Sequence, residues 1–325
     1  MEMENTIIIG GGPCGMSCAI ELQKHGIRPL IIEKGNIVNT IYNFPTHQTF
    51  FSSSEKLEIG DLPFITELKK PVRNQALAYY RAVAERKDIR LNTFEKVMEV
   101  IKNGETFLVR TEKSGNQKAE YWAKNVIIAT GYYDQPNHMN IPGEGLPKVM
   151  HYFKEAHPFF HKNVVVIGGK NSAVDATLEL HKAGANITVL YRGNDYSKSI
   201  KPWILPEFDS LVRKGIVQME FNAKTLEIMN DQVEYMANGE IKTIANDFVF
   251  AMTGYKPNNE FMKQIGISVD KFSGKPAFDE NTYETNVPNA YVAGVVAAGY
   301  NNNEIFIENG RHHGKQIAEA IIKKR

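Results

Sequence analysis

The sequence predicts an α/β protein with two Rossmann-like dinucleotide-binding domains, and two repeated features carry this prediction. An apolar strand enters a glycine-rich turn twice, at residues 6–12 and 164–169, and each turn precedes a helical stretch, a glycine and a second apolar strand. This order is typical of a βαβ unit with parallel strands. Two further apolar strands, at residues 126–131 and 248–254, both end in Thr-Gly.

Glycines and a hairpin signal mark the expected ends of helices and strands along the chain. Gly26 and Gly184 stand where a helix ends, a position that favours a left-handed residue. Between the two units, residues 97–102 and 105–112 predict paired strands around Asn103-Gly104, a strong hairpin signal. The tail at residues 304–324 predicts one helix with an amphipathic second half.

Length, charge and hydropathy indicate a two-domain protein and argue against nucleic-acid binding and membrane insertion. A length of 325 residues is typical of about two domains. Lys and Arg number 38 against 37 Asp and Glu, so a net charge of +1 gives no electrostatic case for nucleic acid or an anionic membrane. The acidic N-terminus lacks the pattern of a signal peptide, and no apolar run approaches the ~20 residues of a membrane span. We expect a cytoplasmic protein.

The first glycine turn has the spacing of a phosphate-binding motif. Gly10, Gly12 and Gly15 form G-x-G-x-x-G, with Pro13 and Cys14 between the last two. These glycines permit a tight turn, close approach to a pyrophosphate and close helix packing. Glu33 ends the next strand, where a carboxylate accepts bonds from a ribose diol and repels a 2′-phosphate. The first site therefore suits FAD or NAD.

The second turn differs in the charge that it carries. Its predicted cofactor contacts are Gly168, Gly169, Asn171, Ser172 and Ala173, with Lys170 in the place of the middle glycine. Arg192 occupies the position that corresponds to Glu33, and Lys198 and Lys201 follow it. A guanidinium there suits a 2′-phosphate through charge-assisted contacts. The contrast between Glu33 and Arg192 predicts FAD at the first site and NADPH at the second.

These motifs resemble the two-dinucleotide-binding flavoproteins, and among them the thioredoxin reductase-like group. The resemblance covers nearly the whole chain. It implies that an NADPH domain, residues 135–255, is inserted into an FAD domain of residues 1–134 and 256–325. It also implies a helix near the flavin that begins at residues 304–306. Further cofactor contacts are expected at Lys34, Gln48, Val97, Thr130, Gly131, Gly294 and Ile305.

Two departures from that group bear on function. Thioredoxin reductases carry a Cys-x-x-Cys pair before the second glycine motif, whereas residues 151–163 here contain no cysteine. The segment Ala293-Gly294-Val295 replaces a Gly-Asp pair whose aspartate reaches the ribityl chain. Backbone amides, or the residues from Asn301 to Asn303, are expected to hold the cofactor instead.

A narrower resemblance is to the bacillithiol-disulfide reductases. It rests on the GGGPCG turn with Cys14 and on residues 46–61, 70–80, 293–295 and 303–311. The resemblance implies NADPH-dependent reduction of a small-thiol disulfide through FAD, with bacillithiolated proteins or a bacilliredoxin as further partners and a homo-oligomeric state. The alternatives are an NADPH-dependent ferredoxin or flavodoxin reductase, a flavin monooxygenase and a redox-sensing flavoprotein.

The chain has two cysteines, which excludes a disulfide scaffold and a four-cysteine zinc site. Cys14 is the candidate redox relay, forming a mixed disulfide with the substrate. Its helix N-terminus favours the thiolate and a nearby pyrophosphate opposes it, so a buried packing role stays open. Cys18 lies four residues on, where helical geometry separates the two side chains too far for a disulfide, and it is expected in the core.

The nine histidines predict no metal site, because none shows the glutamate-flanked i, i+4 spacing of a zinc helix. Most are expected to be solvated or structural. His47 lies in the family-specific run and is placed near flavin. Arg73, Arg311 and Lys315 are candidates for contact with substrate carboxylates, against the simpler expectation that they are solvated.

Overall fold

The computed structural model describes residues 3–301 and 303–325. The chain divides into two compact units. The first unit comprises Met1–Gln135 and Lys256–Arg325, and the inserted unit comprises Pro136–Tyr255.

The elements follow the chain in the order below. The strands are β1 (Met3–Ile9), β2 (Leu30–Ile32), β3 (Leu91–Asn92), β4 (Glu95–Asn103), β5 (Thr106–Lys113), β6 (Gln117–Ile128), β7 (Val149–Met150), β8 (Asn163–Ile167), β9 (Asn186–Leu190), β10 (Val217–Glu220), β11 (Ala223–Ile228), β12 (Gln232–Ala237), β13 (Glu240–Ala245), β14 (Phe248–Ala251) and β15 (Ala290–Val292). The helices are α1 (Pro13–Lys24), α2 (Asn39–Asn43), α3 (Ser54–Leu57), α4 (Arg73–Arg86), α5 (Asn171–Lys182), α6 (Leu205–Arg213), α7 (Asn259–Gln264), α8 (Ile307–Gly310) and α9 (His313–Lys323), with 3₁₀ turns at His157–Phe159 and Gly294–Ala298.

The first unit is built on a parallel sheet that continues into an antiparallel meander. Strands β3, β2, β1, β6 and β15 pair in parallel, while the first half of β6 pairs with β5 and β5 with β4 in antiparallel fashion. Neighbouring residues of the apolar strands enter two different cores, with Ile8 on the α1 side and Ile7 and Ile9 on the other. A strand buried on both faces reads as a continuous apolar run.

The inserted unit repeats this arrangement. Its parallel sheet has the order β10-β9-β8-β14-β7, and a separate antiparallel meander joins β11, β12 and β13. Val164 and Val166 of β8 face the core around α5, whereas Val165 and Ile167 face the core beside the meander. The second apolar run is therefore also a doubly covered strand.

Several local predictions are confirmed by this structure. The two βαβ units are β1-α1-β2 and β8-α5-β9, with parallel pairing in both. Gly26 and Gly184 have φ values of 74° and 79°, the left-handed conformation expected past a helix end. Strands β4 and β5 form the hairpin, and Gly104 has a φ of 57°.

The prediction of one continuous C-terminal helix is wrong. The tail forms the short helix α8 and the longer helix α9, with Arg311 and His312 between them. The Arg311 carbonyl accepts a hydrogen bond from Ser17 Oγ at 2.6 Å, so a partner on α1 takes a group that a continuous helix would use. The helix expected to begin near residues 304–306 is α8, for which Phe306 is the N-cap and Ile307 the first helical residue. Within the described ranges, every helix is too short or too polar to cross a membrane.

Candidate functional site

The turn between β1 and α1 has the shape of a pyrophosphate cradle. A Cβ on Gly10 would lie 2.4 Å from the Ala129 carbonyl oxygen, and one on Gly15 would lie 2.1 Å from the Gly10 carbonyl oxygen. These contacts require glycine, whereas the space beside Gly12 is open to 4 Å. Gly12 caps α1 without a side-chain bond, so no N-cap side chain occupies the N–H groups of the first turn. The turn fits a bound diphosphate.

Glu33 is held at this turn by the backbone. Its Oε2 accepts a hydrogen bond from the Gly11 N–H at 2.7 Å, and its Oε1 accepts one from the Gly35 N–H at 2.8 Å. Burial raises the pKa of the Glu33 carboxyl, while these two bonds act in the opposite direction. Each carboxylate oxygen keeps lone-pair capacity for a ribose hydroxyl. The residue fits the predicted contact with an adenosine that has a free diol.

The other predicted contacts of the first unit lie in different surroundings. Thr130 and Gly131 follow β6 beside the Gly10 turn, and Gly131 has open space where a Cβ would point. Lys34 forms an ion pair with Asp134 at 2.8 Å, and the Gln48 amide donates to the Thr49 carbonyl. Val97 and Ile305 are half-buried and pack against the same hydrophobic cluster. Of these predicted contacts, Thr130 and Gly131 lie next to the Gly10 turn.

A buried histidine organises the Ala293-Gly294-Val295 segment. The Gly294 N–H donates to His313 Nδ1 at 3.1 Å, and the imidazole stacks on Tyr283 with ring centroids 4.1 Å apart. Burial, reinforced by His312, lowers the pKa of His313 to about 4, so the ring is neutral at physiological pH. This pairing was not predicted from the sequence. The signal was the period of α9, which places His313 on the buried face with Ile317 and Ile321.

Cys14 occupies space that two glycines provide. A Cβ on Gly294 or on Gly310 would lie 2.9 Å from Cys14 Sγ, so the thiol packs between these two backbones. A Cβ on Gly314 would lie 2.9 Å from the Cys18 Cα, which shows how closely α9 approaches α1. Burial raises the pKa of the Cys14 thiol to about 12 and that of Cys18 as well. Desolvation of the thiol is the cause of the raised pKa at Cys14.

Two arginines predicted as substrate contacts bind backbone carbonyls within the first unit. Arg73 is buried and donates to the Tyr42 carbonyl oxygen, and Arg311 donates to the carbonyl oxygens of Glu55 and Glu58. Both guanidiniums therefore hold backbone carbonyls of α2, of α3 and of the residue that ends α3, and the buried Arg73 departs from the expectation of a solvated side chain. Lys315 is exposed, as expected of a solvated residue.

The groups expected to replace the missing aspartate are the residues from Asn301 to Asn303 and nearby backbone amides. Asn301 and Asn303 are exposed, and Asn302 lies outside the described residues. The backbone amide of Gly294 is committed to His313, so it is not available to a cofactor while that bond persists.

The second turn, in the inserted unit, is equally tight. A Cβ on Gly168 would lie 2.4 Å from the Met252 carbonyl oxygen, and one on Gly169 would lie 2.3 Å from the Tyr191 ring. Asn171 fastens a neighbouring loop to the start of α5, since its side chain donates to the Ser199 carbonyl and accepts from the Lys201 N–H. Ser172 is exposed and Ala173 is buried against Gly168. The turn and its helix N-terminus fit a second dinucleotide.

Three cations of the inserted unit have exposed positions on segments that flank this turn. They are Lys170, Arg192 and Lys198. Among residues 3–301 and 303–325, none of the three has an ion-pair partner within 4.0 Å. A guanidinium in this position has the charge and the geometry that a 2′-phosphate contact requires.

Two Rossmann units, one with a carboxylate at its turn and one with an arginine, define a two-dinucleotide-binding oxidoreductase. Residues 7–294 match the family described as pyridine nucleotide-disulphide oxidoreductase. The chain is 61% identical over its whole length to bacilliredoxin reductase Bdr of Bacillus subtilis, of which the match covers 99%. The chain belongs to this oxidoreductase family and, within it, to the Bdr group, which confirms the predicted resemblance.

Solved structures agree with this assignment. The structure of bacillithiol disulfide reductase Bdr (YpdA) from Bacillus cereus is matched with a TM-score of 0.99 and 61% identity, over 100% of both chains. A thioredoxin reductase from T. acidophilum shares the fold, with a TM-score of 0.77 over 98% of both chains at 22% identity. The thioredoxin reductase-like fold is thus confirmed. The chain is an oxidoreductase whose cofactors are FAD and NAD(P)H.

Proposed function

We propose that this chain is an NADPH-dependent reductase of bacillithiol disulfide. The observation that carries the proposal is the full-length similarity to proteins named bacilliredoxin reductase Bdr and bacillithiol disulfide reductase Bdr. The two dinucleotide turns support it, because the reaction needs one site for FAD and one for a nicotinamide nucleotide. A bacilliredoxin that carries a mixed disulfide is a second acceptor of the same chemical class.

The choice of NADPH over NADH rests on the inserted unit. Arg192 stands at the strand end where an acidic residue would bind a 2′-hydroxyl, and its guanidinium is exposed and uncommitted among the described residues. Lys198 lies on the loop that Asn171 fastens to the start of α5. These charges favour a 2′-phosphate by charge-assisted contact.

The proposed reaction transfers two electrons from NADPH to a disulfide, giving two thiols and NADP⁺ with uptake of one proton. FAD held at the Gly10 turn and beside Glu33 would supply the two-electron chemistry that links NADPH to the acceptor. In the relay route, the Cys14 thiolate attacks one substrate sulfur and releases the first thiol. The mixed disulfide at Cys14 is then cleaved by the two electrons, which restores Cys14 and releases the second thiol.

The surroundings of Cys14 set a condition on this route. With a pKa of about 12 the group is a thiol at pH 7, so it must lose its proton before it can attack. The close packing of Sγ against Gly294 and Gly310 favours a second route, in which Cys14 is a packing group and the substrate receives electrons without a protein thiol. The two routes share the same overall reaction and differ in what removal of Sγ does.

The experiment is steady-state oxidation of NADPH by the FAD-loaded enzyme with a panel of acceptors. The panel contains bacillithiol disulfide, a bacilliredoxin mixed disulfide, ferredoxin, flavodoxin and oxygen alone. We expect turnover with the two disulfides to exceed turnover with oxygen at least tenfold. Equal rates with oxygen alone, or a preference for ferredoxin or flavodoxin, would overturn the proposal.

The same assay on Cys14→Ala separates the two routes. The relay route predicts that the variant keeps NADPH oxidation by oxygen and loses disulfide turnover. The direct route predicts that disulfide turnover persists. Cys18→Ala is the matched control, because it removes a buried thiol from the same helix face without touching the turn.

A further inference from the structure

The inserted unit contains a cluster of two histidines and a glutamate outside both dinucleotide turns. His138 Nδ1, Glu144 Oε1 and His151 Nε2 can converge, because ligand atoms of these three residues lie within 4.8 Å of one another. Glu144 follows His138 by six residues and precedes His151 by seven. His138 and Glu144 lie on a loop and His151 directly follows β7, so the three residues do not share a helical spacing that could be recognised in the sequence. The cluster is distinct from the glycine turn at Gly168 in sequence and in its chemistry.

Glu144 is the fixed member of the cluster. Its Oε1 accepts a hydrogen bond from the Met139 N–H at 2.9 Å, and its Oε2 accepts one from the Asn140 N–H at 2.7 Å. The preceding Gly143 has a φ of 78°, and a Cβ there would lie 1.7 Å from the Ile228 carbonyl oxygen. Only 10% of the Glu144 side chain is exposed. The carboxylate is therefore oriented before any ligand arrives.

His151 is held from the opposite side. Its carbonyl accepts a hydrogen bond from Tyr255 Oη at 3.0 Å, and Tyr255 stacks on Tyr152 with ring centroids 5.3 Å apart. Its Nδ1 is buried with no hydrogen-bond partner among residues 3–301 and 303–325, whereas Nε2 faces Glu144 Oε1 at 3.6 Å. The ring thus presents a single nitrogen to the cluster.

His138 is the third residue of the cluster, and its side chain is the most exposed of the three. Its Nδ1 lies 3.3 Å from Glu144 Oε1, its ring meets the His151 ring edge-on at 4.9 Å, and its side chain is 56% exposed. Its loop position lets the ring move by a fraction of an ångström without disturbing the core.

We propose that His138, Glu144 and His151 form a binding site for a divalent transition-metal ion, of which Zn²⁺ is the best-suited probe. In a tetrahedral zinc site with bonds of about 2.0–2.1 Å, neighbouring ligand atoms are about 3.4 Å apart. The two histidine nitrogens stand 3.3 and 3.6 Å from Glu144 Oε1, close to that separation. Imidazole and carboxylate donors suit zinc and its first-row neighbours better than Mg²⁺ or Ca²⁺. Binding would displace any proton shared between these atoms.

The cluster also has room for a fourth ligand. It borders a cleft of about 490 Å³ whose other lining residues include Asn140, Leu146, Pro147 and Val149. Three protein ligands with an open position for water is the pattern of an accessible zinc site rather than a closed structural one. A bound ion would cross-link the loop at 138–144 to the residue that follows β7, which would stabilise the inserted unit.

The test is zinc binding by the tag-free, FAD-loaded chain, measured in competition with a chromophoric chelator. We expect one Zn²⁺ per chain with saturable affinity. His138→Gln, Glu144→Gln and His151→Gln are each expected to weaken binding by at least about tenfold. His157→Gln is the matched control, since His157 is an exposed histidine of the same unit. Co²⁺ provides a direct readout, because a tetrahedral site gives it visible absorption that should vanish in His151→Gln.

The FAD absorption spectrum and far-ultraviolet circular dichroism monitor folding of each variant. If the parent chain binds no zinc, or if all three cluster variants bind it as tightly as His157→Gln does, the proposal is wrong. Should a cluster variant fail to fold, Co²⁺ absorption of the parent at one equivalent still decides the question, since its absence overturns the site.

Discussion

The N–H of Gly294 donates a hydrogen bond to Nδ1 of His313 at 3.1 Å, although the two residues belong to different elements. Because Nδ1 accepts this bond, the ring is neutral and carries its proton on Nε2. The contact ties the first turn of α9 to the segment in which related reductases carry a Gly-Asp pair. Gly294 is also one of the two glycines against which Cys14 Sγ packs. One hydrogen bond therefore positions the backbone beside the candidate thiol.

This bond predicts a pH dependence of stability. Burial lowers the pKa of His313 to about 4, against 6.5 in an unfolded chain. Between these values the unfolded state binds a proton that the folded state does not, so the free energy of unfolding falls as the pH falls from 6.5 toward 4. The loss is on the order of 3 kcal/mol. Above pH 6.5 the residue contributes no pH dependence.

The measurement is urea unfolding at pH 7, 5.5 and 4.5 with saturating FAD. His313→Asn keeps an acceptor at the δ position but does not titrate, so its stability should fall less steeply over this window than that of the parent. His25→Asn is the control, because His25 is an exposed histidine of the same unit. Equal slopes for parent and His313→Asn would contradict the prediction.

The two dinucleotide turns could be predicted from the sequence because their parts are close along the chain. Gly10, Gly15 and Glu33 fall within a single βαβ unit, and strand, turn and helix propensities place them. The surroundings of Cys14 could not be predicted in the same way. Gly294 and Gly310 lie about 280 and 300 residues away, and their contact with Sγ depends on how the 3₁₀ turn at Gly294–Ala298 and α8 pack beside α1.

The break in the C-terminal helix illustrates the same limit. No proline interrupts residues 304–324, but a hydrogen bond from Ser17 Oγ to the Arg311 carbonyl competes with a continuous helix at that point. The triad of His138, Glu144 and His151 has no sequence period at all. Its members meet because Gly143 and the pairing of β7 with β14 bring a loop and a strand end together.

Replacement of Glu33 by Gln is expected to weaken FAD binding. The side chain keeps its size, but an amide group replaces one of the two oxygens that accept from Gly11 and Gly35. Hydrogen bonds to charged groups contribute about 1.5–3 kcal/mol, so the Kd for FAD should rise by about ten- to a hundredfold. Flavin fluorescence titration of the apoprotein measures it. Glu85→Gln, an exposed glutamate of α4, should leave the Kd unchanged.

Replacement of Arg192 by Ala is expected to change the choice of nicotinamide nucleotide. Loss of a charge-assisted contact to the 2′-phosphate should raise KM for NADPH by about tenfold or more while leaving KM for NADH nearly constant. Steady-state kinetics with both nucleotides gives the ratio. Arg213→Ala is the matched control in the same unit, since this arginine pairs with Asp209 on α6. A parallel rise of both KM values would mean that Arg192 does not distinguish NADPH from NADH through the 2′-phosphate.

The packing of Cys14 against Gly310 predicts a coupling between the two positions. Gly310→Ala places a methyl group 2.9 Å from Sγ and 3.2 Å from Ile305 Cγ2, an overpacking expected to cost about 1–3 kcal/mol. Cys14→Ala removes Sγ, so the double variant should be more stable than the sum of the single effects predicts, by about 1 kcal/mol. Urea unfolding of the four proteins measures this coupling, and strict additivity would show that the thiol does not fill the space beside Gly310.

The same four proteins separate packing from catalysis. If Cys14 is a relay, both variants that lack its sulfur lose disulfide turnover, whatever their stability. If Cys14 only packs, turnover follows the position of the backbone at Gly310, so Gly310→Ala is impaired and Cys14→Ala/Gly310→Ala recovers part of the activity. Recovery in the double variant cannot arise from a relay, because the electrons would have no thiol through which to pass. The order of the four rates therefore decides between the routes independently of the pKa of the thiol.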